Sequence, residues 1–204
     1  MMFDPYSVES GSFVHKVIEL YYQHYPPQEL IAHTVIELYK TQTNSPVLPE
    51  QKERRQLALT NFIHFEVERR KRDDTRPRSE WRIQMNTLDG IGEMAIIDYY
   101  NPVKKMPVDF KVSKSPSSAK KVQAAYYIYL LRIALKENNL TRFGFFFLLS
   151  NERKIIEVTD KMIEKTLQLR DKLLEAIKNR QFESTKKCRY CDYRWYCPQG
   201  AYKQ

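Results

Sequence analysis

Apolar residues at Phe13, Val14, Val17, Ile18 and Tyr21 recur with the spacing of one helix face, so residues 12–22 are predicted to form a short amphipathic helix, with Ser10 or Ser12 as its cap. Pro26-Pro27 breaks it, and 28–40 reads as a second helix. A loop over 41–49 leads to a third helical stretch, 50–72, which ends in the basic run Arg69–Arg72. Past the polar connection 73–79 the period shortens to that of strands: 80–87, 92–100 and 107–112. A strong helix over 117–137 follows, then a hairpin of 143–149 and 154–158. Thr159 caps a long amphipathic helix to about 180, carrying Met162, Ile163, Leu167, Leu173, Leu174 and Ile177 on its apolar side. Helices, three strands, a helix, two strands and a last helix make an α/β sheet protein. There is no internal repeat.

Composition narrows the class. The 204 residues are 42% hydrophobic and 13% aromatic, enough for a core and too much for a disordered chain. The most apolar run, 143–149, is strand-sized, far below the ~18 residues of a membrane span. The first dozen residues hold acids and no hydrophobic stretch, unlike a secretory leader. A cytoplasmic protein with no membrane partner is therefore expected. The net charge of +9 is lopsided: residues 1–100 hold 12 basic and 15 acidic side chains, residues 101–204 hold 22 and 10. Such asymmetry suits a polyanion partner, although a solvated basic face gives the same count. The 14 tyrosines are compatible with stacking on unpaired bases or with ordinary packing.

Candidate chemistry concentrates in 107–114, Pro-Val-Asp-Phe-Lys-Val-Ser-Lys. In a strand Asp109 and Lys111 share one face, while Val108, Phe110 and Val112 take the other. Burying a carboxylate and an ammonium together is costly unless a partner or a metal compensates. A second carboxylate from the neighbouring strand would complete an oxygen-rich site for Mg²⁺ or Mn²⁺. An edge strand with an exposed Asp–Lys pair would read the same in isolation. Company in sequence order favours the site: Gly11 and His15 four apart on the first helix, then Gln123 and Tyr127 four apart on the helix after Lys111, with Lys114, Lys120 and Lys121 placed to approach a phosphate backbone.

Gly11…His15, an acid near the strand 90–98, Asp109-x-Lys111, Gln123-x3-Tyr127 and terminal Cys188, Cys191 and Cys197 together resemble the RecB-type nucleases of the PD-(D/E)XK superfamily. The similarity is nearest to CRISPR-associated exonucleases that carry four cysteines and an iron–sulfur cluster, and small relatives also occur in archaeal viruses and mobile elements. The resemblance implies a restriction-endonuclease-like α/β core: a mixed central sheet flanked by helices, with a cysteine-bearing C-terminal tail. It implies Mn²⁺- or Mg²⁺-dependent cleavage of single-stranded DNA, commonly as a 5′–3′ exonuclease with endonuclease activity besides. His15 matches the metal-ligand histidine, Asp109 the central acid, Lys111 the lysine of D-x-K, and Gln123 and Tyr127 the helix motif. For the first acid the pattern G-x-x-D aligns Gly90-Ile-Gly-Glu93, which ranks Glu93 first, Asp98 second and Asp89 third; they precede Asp109 by 16, 11 and 20 residues. Homo-oligomers, and partners in CRISPR adaptation, recombination or replication, fit the resemblance, with a host cytoplasm for a viral member.

The spacing C-x2-C-x5-C of the tail matches the last three cysteines of the cluster-bearing branch, and the chain has no upstream fourth. An iron–sulfur cluster, a Cys3His zinc site using His24, His33 or His64, and an empty site all stay open. The expected division is a helical region 1–79, a nuclease core 80–182 and a tail 183–204 packing on the first helices. A reading of a different class is a non-catalytic nucleic-acid-binding protein with a zinc-knuckle-like tail.

Overall fold

A computed structural model describes residues 5–43, 47–86, 92–113 and 119–179. Lys114, Asp89 and the three cysteines lie outside them. By contacts the chain divides into two compact units, one of 4–163 and one of 164–204 with 1–3. The first unit holds the helices α1 (Pro5–His24), α2 (Ile31–Gln42) and α3 (Pro49–Arg72), then strands β1 (Arg78–Asn86), β2 (Gly92–Asn101) and β3 (Met106–Lys111). Helix α4 (Ala119–Leu135) and strands β4 (Arg142–Phe147) and β5 (Glu152–Glu157) follow. Helix α5 (Asp160–Lys178) begins in this unit and supplies the described part of the second. Thr159 caps it as expected, accepting the Met162 N–H at 3.3 Å.

Every expected element forms, with shifted ends. Helix α1 begins at Pro5 rather than near residue 12, since proline is tolerated in a first helical turn. Residues 28–30 form a 3₁₀ turn before α2.

The five strands form one mixed sheet in the order β1-β2-β3-β4-β5. Only β3 and β4 are parallel, the connection that needs a crossover, and α4 is that crossover. The sheet is thus covered on both faces, the architecture expected of a restriction-endonuclease-like core. On one face α1–α3 pack against Tyr99, Val108, Phe110, Val112, Phe146 and Leu148. Aromatic rings carry this layer: Phe62 meets Phe110 edge-on at 5.6 Å, and Phe65 stacks on Phe146 at 5.0 Å. On the other face Phe143 meets Tyr127 of α4 edge-on at 5.6 Å.

One ionic network fixes the helices to each other. Glu66 of α3 is fully buried and accepts from the Tyr21 and Tyr22 hydroxyls, each at 3.1 Å, and from Arg69 Nε and Nη2 at 2.8 and 2.6 Å. Arg69 Nη1 also donates to the carbonyls of Asp73 and Thr75. Burial and the Glu66 charge hold both tyrosine hydroxyls above their ordinary pKa. Removing one partner leaves a buried, uncompensated charge. Arg69→Ala should therefore lower unfolding free energy by about 3–5 kcal/mol in urea titration, and an unchanged midpoint would show the pair to be dispensable.

Candidate active site

The site forms where the β2–β3 ladder ends. Their last pair toward it is Tyr99 with Val108, and the next residues in register would be Asp98 and Asp109. Backbone pairing stops there. Asp98 Oδ2 instead accepts the Phe110 N–H at 2.8 Å, so a side chain stands in for the missing main-chain acceptor. Two carboxylates are left side by side, Asp98 at 9% and Asp109 at 4% exposure.

Asp109 is held from both sides. Lys111 Nζ lies 2.6 Å from Oδ2, as the shared strand face required, and Gln123 Nε2 of α4 donates to Oδ1 at 3.1 Å. Tyr127 lies one helical turn on from Gln123, and burial raises the pKa of its hydroxyl. Lys120, half-buried at the start of α4, has its pKa lowered by desolvation and then by the neighbouring Lys111. Lys121 is exposed.

Helix α1 contributes the nitrogen donor. His15 Nδ1 stands 3.5 Å from Asp98 Oδ2. Burial lowers its pKa, against the raising influence of Asp109, so the imidazole favours its neutral, metal-binding form. One turn earlier Gly11 faces open space, where a Cβ would meet nothing within 4 Å.

A carboxylate not anticipated from sequence completes the group. Ligand atoms of His15, Glu80 and Asp98 lie within 4.8 Å of one another. Glu80 falls between the β1–β2 pairs Ser79–Tyr99 and Trp81–Ile97, opposite Asp98. Its φ of 45° is a left-handed conformation inside a strand, a strained choice for a non-glycine residue. Burial and then the Asp98 charge push its pKa up to about 7. Desolvation, reinforced by Asp109, likewise holds Asp98 well above the usual carboxylate range. The only sequence signal was a glutamate at the start of a predicted strand, and its register against β2 depends on the intervening turn.

The structure thus brings together His15, Asp98, Asp109, Lys111, Gln123 and Tyr127, with Lys120 beside them. It does not bring Glu93 to the same place. Glu93 is buried in β2, but five residues from Asp98 is about 16 Å of strand, and an odd offset turns it to the other face. The ranking of Glu93 over Asp98 followed motif spacing; the ladder geometry puts Asp98 next to Asp109.

A neutral imidazole and buried carboxylates that resist ionisation form a donor set suited to a divalent cation, which would offset the desolvation cost. The family model of the PD-(D/E)XK nuclease superfamily matches residues 3–198, and the chain belongs to that superfamily, whose nucleases use divalent metals. Among curated proteins no sequence matches. Among solved structures, that of a "putative exonuclease" from Eubacterium rectale is similar over 100% of this chain and 77% of its own, with a TM-score of 0.58 at 15% identity, a likeness of fold. The structure of SSO0001 aligns over 93% of this chain and 86% of its own at 15% identity, with a TM-score of 0.40, too low to support an argument. No helix among the described residues is long and apolar enough to cross a membrane.

The raised carboxyls give a signed pH dependence. An unfolded chain ionises its carboxyls near ~4, whereas folded Glu80 does so only at about 7 and Asp98 also late, so metal-free protein should lose stability as pH rises between those values. The lowered His15 pKa works in the opposite sense. Asp98→Asn, which removes one of the late-ionising carboxyls, should flatten the fall in urea midpoint between pH 5 and 8 measured in EDTA. A wild-type midpoint that rises over that range would contradict the assignment.

Proposed function

We propose that this protein is a metal-dependent deoxyribonuclease of the RecB-like branch, hydrolysing phosphodiesters of single-stranded DNA from the 5′ end, with endonuclease activity besides. The observation that carries the nuclease reading is the pair Asp98 and Asp109, buried side by side where the ladder ends, with Lys111 Nζ 2.6 Å from Asp109. Superfamily membership supports the reaction class. The single-strand preference and the polarity rest on the resemblance to the RecB-type exonucleases.

His15, Glu80 and Asp98 would hold the cation, with Asp109 adjoining. A divalent ion there supplies Lewis acidity toward a phosphoryl oxygen and a lowered pKa for bound water. The residues divide the remaining work. Lys111 offers its ammonium to the negative charge that grows on the phosphoryl oxygens during in-line displacement. Gln123 keeps the Asp109 carboxylate oriented while leaving its charge in place. Lys120 and the exposed Lys121 hold the strand by its phosphates, joined by Lys114, which lies outside the described residues. An imidazole donor suits Mn²⁺ better than Mg²⁺, so Mn²⁺ is the expected activator of choice. Cys188, Cys191 and Cys197 would hold an iron–sulfur cluster or zinc, and metal analysis of the purified protein separates the two.

Cleavage of a labelled single strand should require Mn²⁺ or Mg²⁺ and stop in EDTA. Asp98→Ala, Asp109→Ala and Lys111→Ala should each lose at least about a hundredfold in rate, while anisotropy shows the strand still bound. Glu93→Ala should retain activity. If the Glu93 variant fails and the Asp98 variant cuts normally, the first acid is Glu93 after all.

A further inference from the structure

A second concave feature lies away from the acidic site. It is a cavity of about 170 Å³ between the C-terminal half of α3 and strands β2–β5, on the α1–α3 face of the sheet. Asp109, by contrast, faces Gln123 of α4. The cavity holds the room of roughly five or six waters. Phe65, Tyr99 and Phe146 supply its aromatic wall. Gly144 lines it without a side chain; a Cβ there would crowd Val108 Cγ2 at 3.1 Å.

Its rim carries mostly positive charge. Arg72, Lys104, Arg153 and Lys154 all line it, against one carboxylate, Glu68. Glu68 pairs closely with Lys71, outside the cavity, at 2.8 Å, and reaches Arg72 of the rim only at 4.0 Å. Lys104 and Lys154 form no ion pair among the described residues. The Arg153 guanidinium lies over Phe65 and Phe146 at 4.9 and 5.4 Å from the ring centroids. Burial and then the like charge of Arg72 lower its pKa, against the raising influence of Glu68, so the two guanidiniums share one region of the rim. Cations outnumbering acids over an aromatic-walled hole are complementary to a molecule with an anionic group and a flat ring.

We propose that this cavity is a nucleotide subsite on the sheet face opposite Asp109, taking an aromatic base against its apolar wall and a phosphate between Arg72 and Arg153. The occupant is a nucleotide unit, either free or within a strand that wraps past the β5 edge. The subsite is independent of the cleavage chemistry, because nothing in it coordinates metal.

Calorimetric titration of the full chain in EDTA with deoxyadenosine monophosphate, inorganic phosphate and a short oligothymidylate tests it. The nucleotide should bind, and phosphate alone should bind at least about tenfold more weakly, a difference of about 1.4 kcal/mol. The double substitution Arg72→Ala with Arg153→Ala should weaken the nucleotide by about tenfold or more at unchanged melting temperature. Lys154→Glu, an exposed change on β5, gives the same direction of effect should the double variant fold poorly. Asp109→Asn should still bind the nucleotide. Equal weakening of the oligonucleotide identifies a strand track, and weakening of the mononucleotide alone identifies a free-nucleotide site. No nucleotide binding, phosphate binding as tightly as the nucleotide, or binding lost in Asp109→Asn but kept in the arginine variants would each overturn the proposal.

Discussion

Two carboxylates buried within reach of each other are the constraint around which the first unit is organised. Asp98 and Asp109 repel, and both have left water, so each needs a specific answer from the fold. Asp98 receives a backbone N–H and the imidazole of a distant helix; Asp109 receives an ammonium from its own strand and an amide from the crossover helix. These partners reduce the cost without cancelling it, as the raised pKa of Asp98 and Glu80 shows. The residual demand is for positive charge, which a nuclease site meets when it binds its metal.

The backbone contributes as directly as the side chains. If β2 and β3 had continued to pair past Tyr99 and Val108, both acids would have been locked in a regular ladder. Ending the ladder there, and pairing β3 with β4 through Lys111 instead, frees Asp98 to bend toward Phe110 and keeps Asp109 on a rigid strand. Glu80 adds a strained left-handed residue in β1, the kind of local cost that persists where the surroundings determine it. The opposite face of the sheet is dry and aromatic apart from its basic-rimmed cavity.

How much of this was legible in the chain depends on which interactions are local. Asp109 and Lys111 were readable because strand alternation alone puts them together. Gln123 and Tyr127 followed from one turn of helix, and the mixed α/β order from the change of period near residue 80. The choice between Glu93 and Asp98 was not readable, because both sit in the same strand and its register against β3 decides which lies next to Asp109. Glu80 was invisible for a related reason: its partner is set by a hairpin register, and its φ by nothing in the residue's own chemistry. The ring packing around Phe62, Phe65, Phe110 and Phe146 could be counted as core, but not arranged.

Helix α1 has one further consequence. Asp109, Lys111, Gln123 and Tyr127 come from one short stretch of the chain, β3 and α4. His15 arrives from the far end of the unit, and it takes its place only once α1 has docked on α3 through Tyr21, Tyr22 and Glu66. The candidate cation site therefore depends on docking between distant parts of the chain. A chain locally opened at its first helix keeps Asp109, Lys111, Gln123 and Tyr127 together and yet lacks the imidazole that completes the candidate cation site.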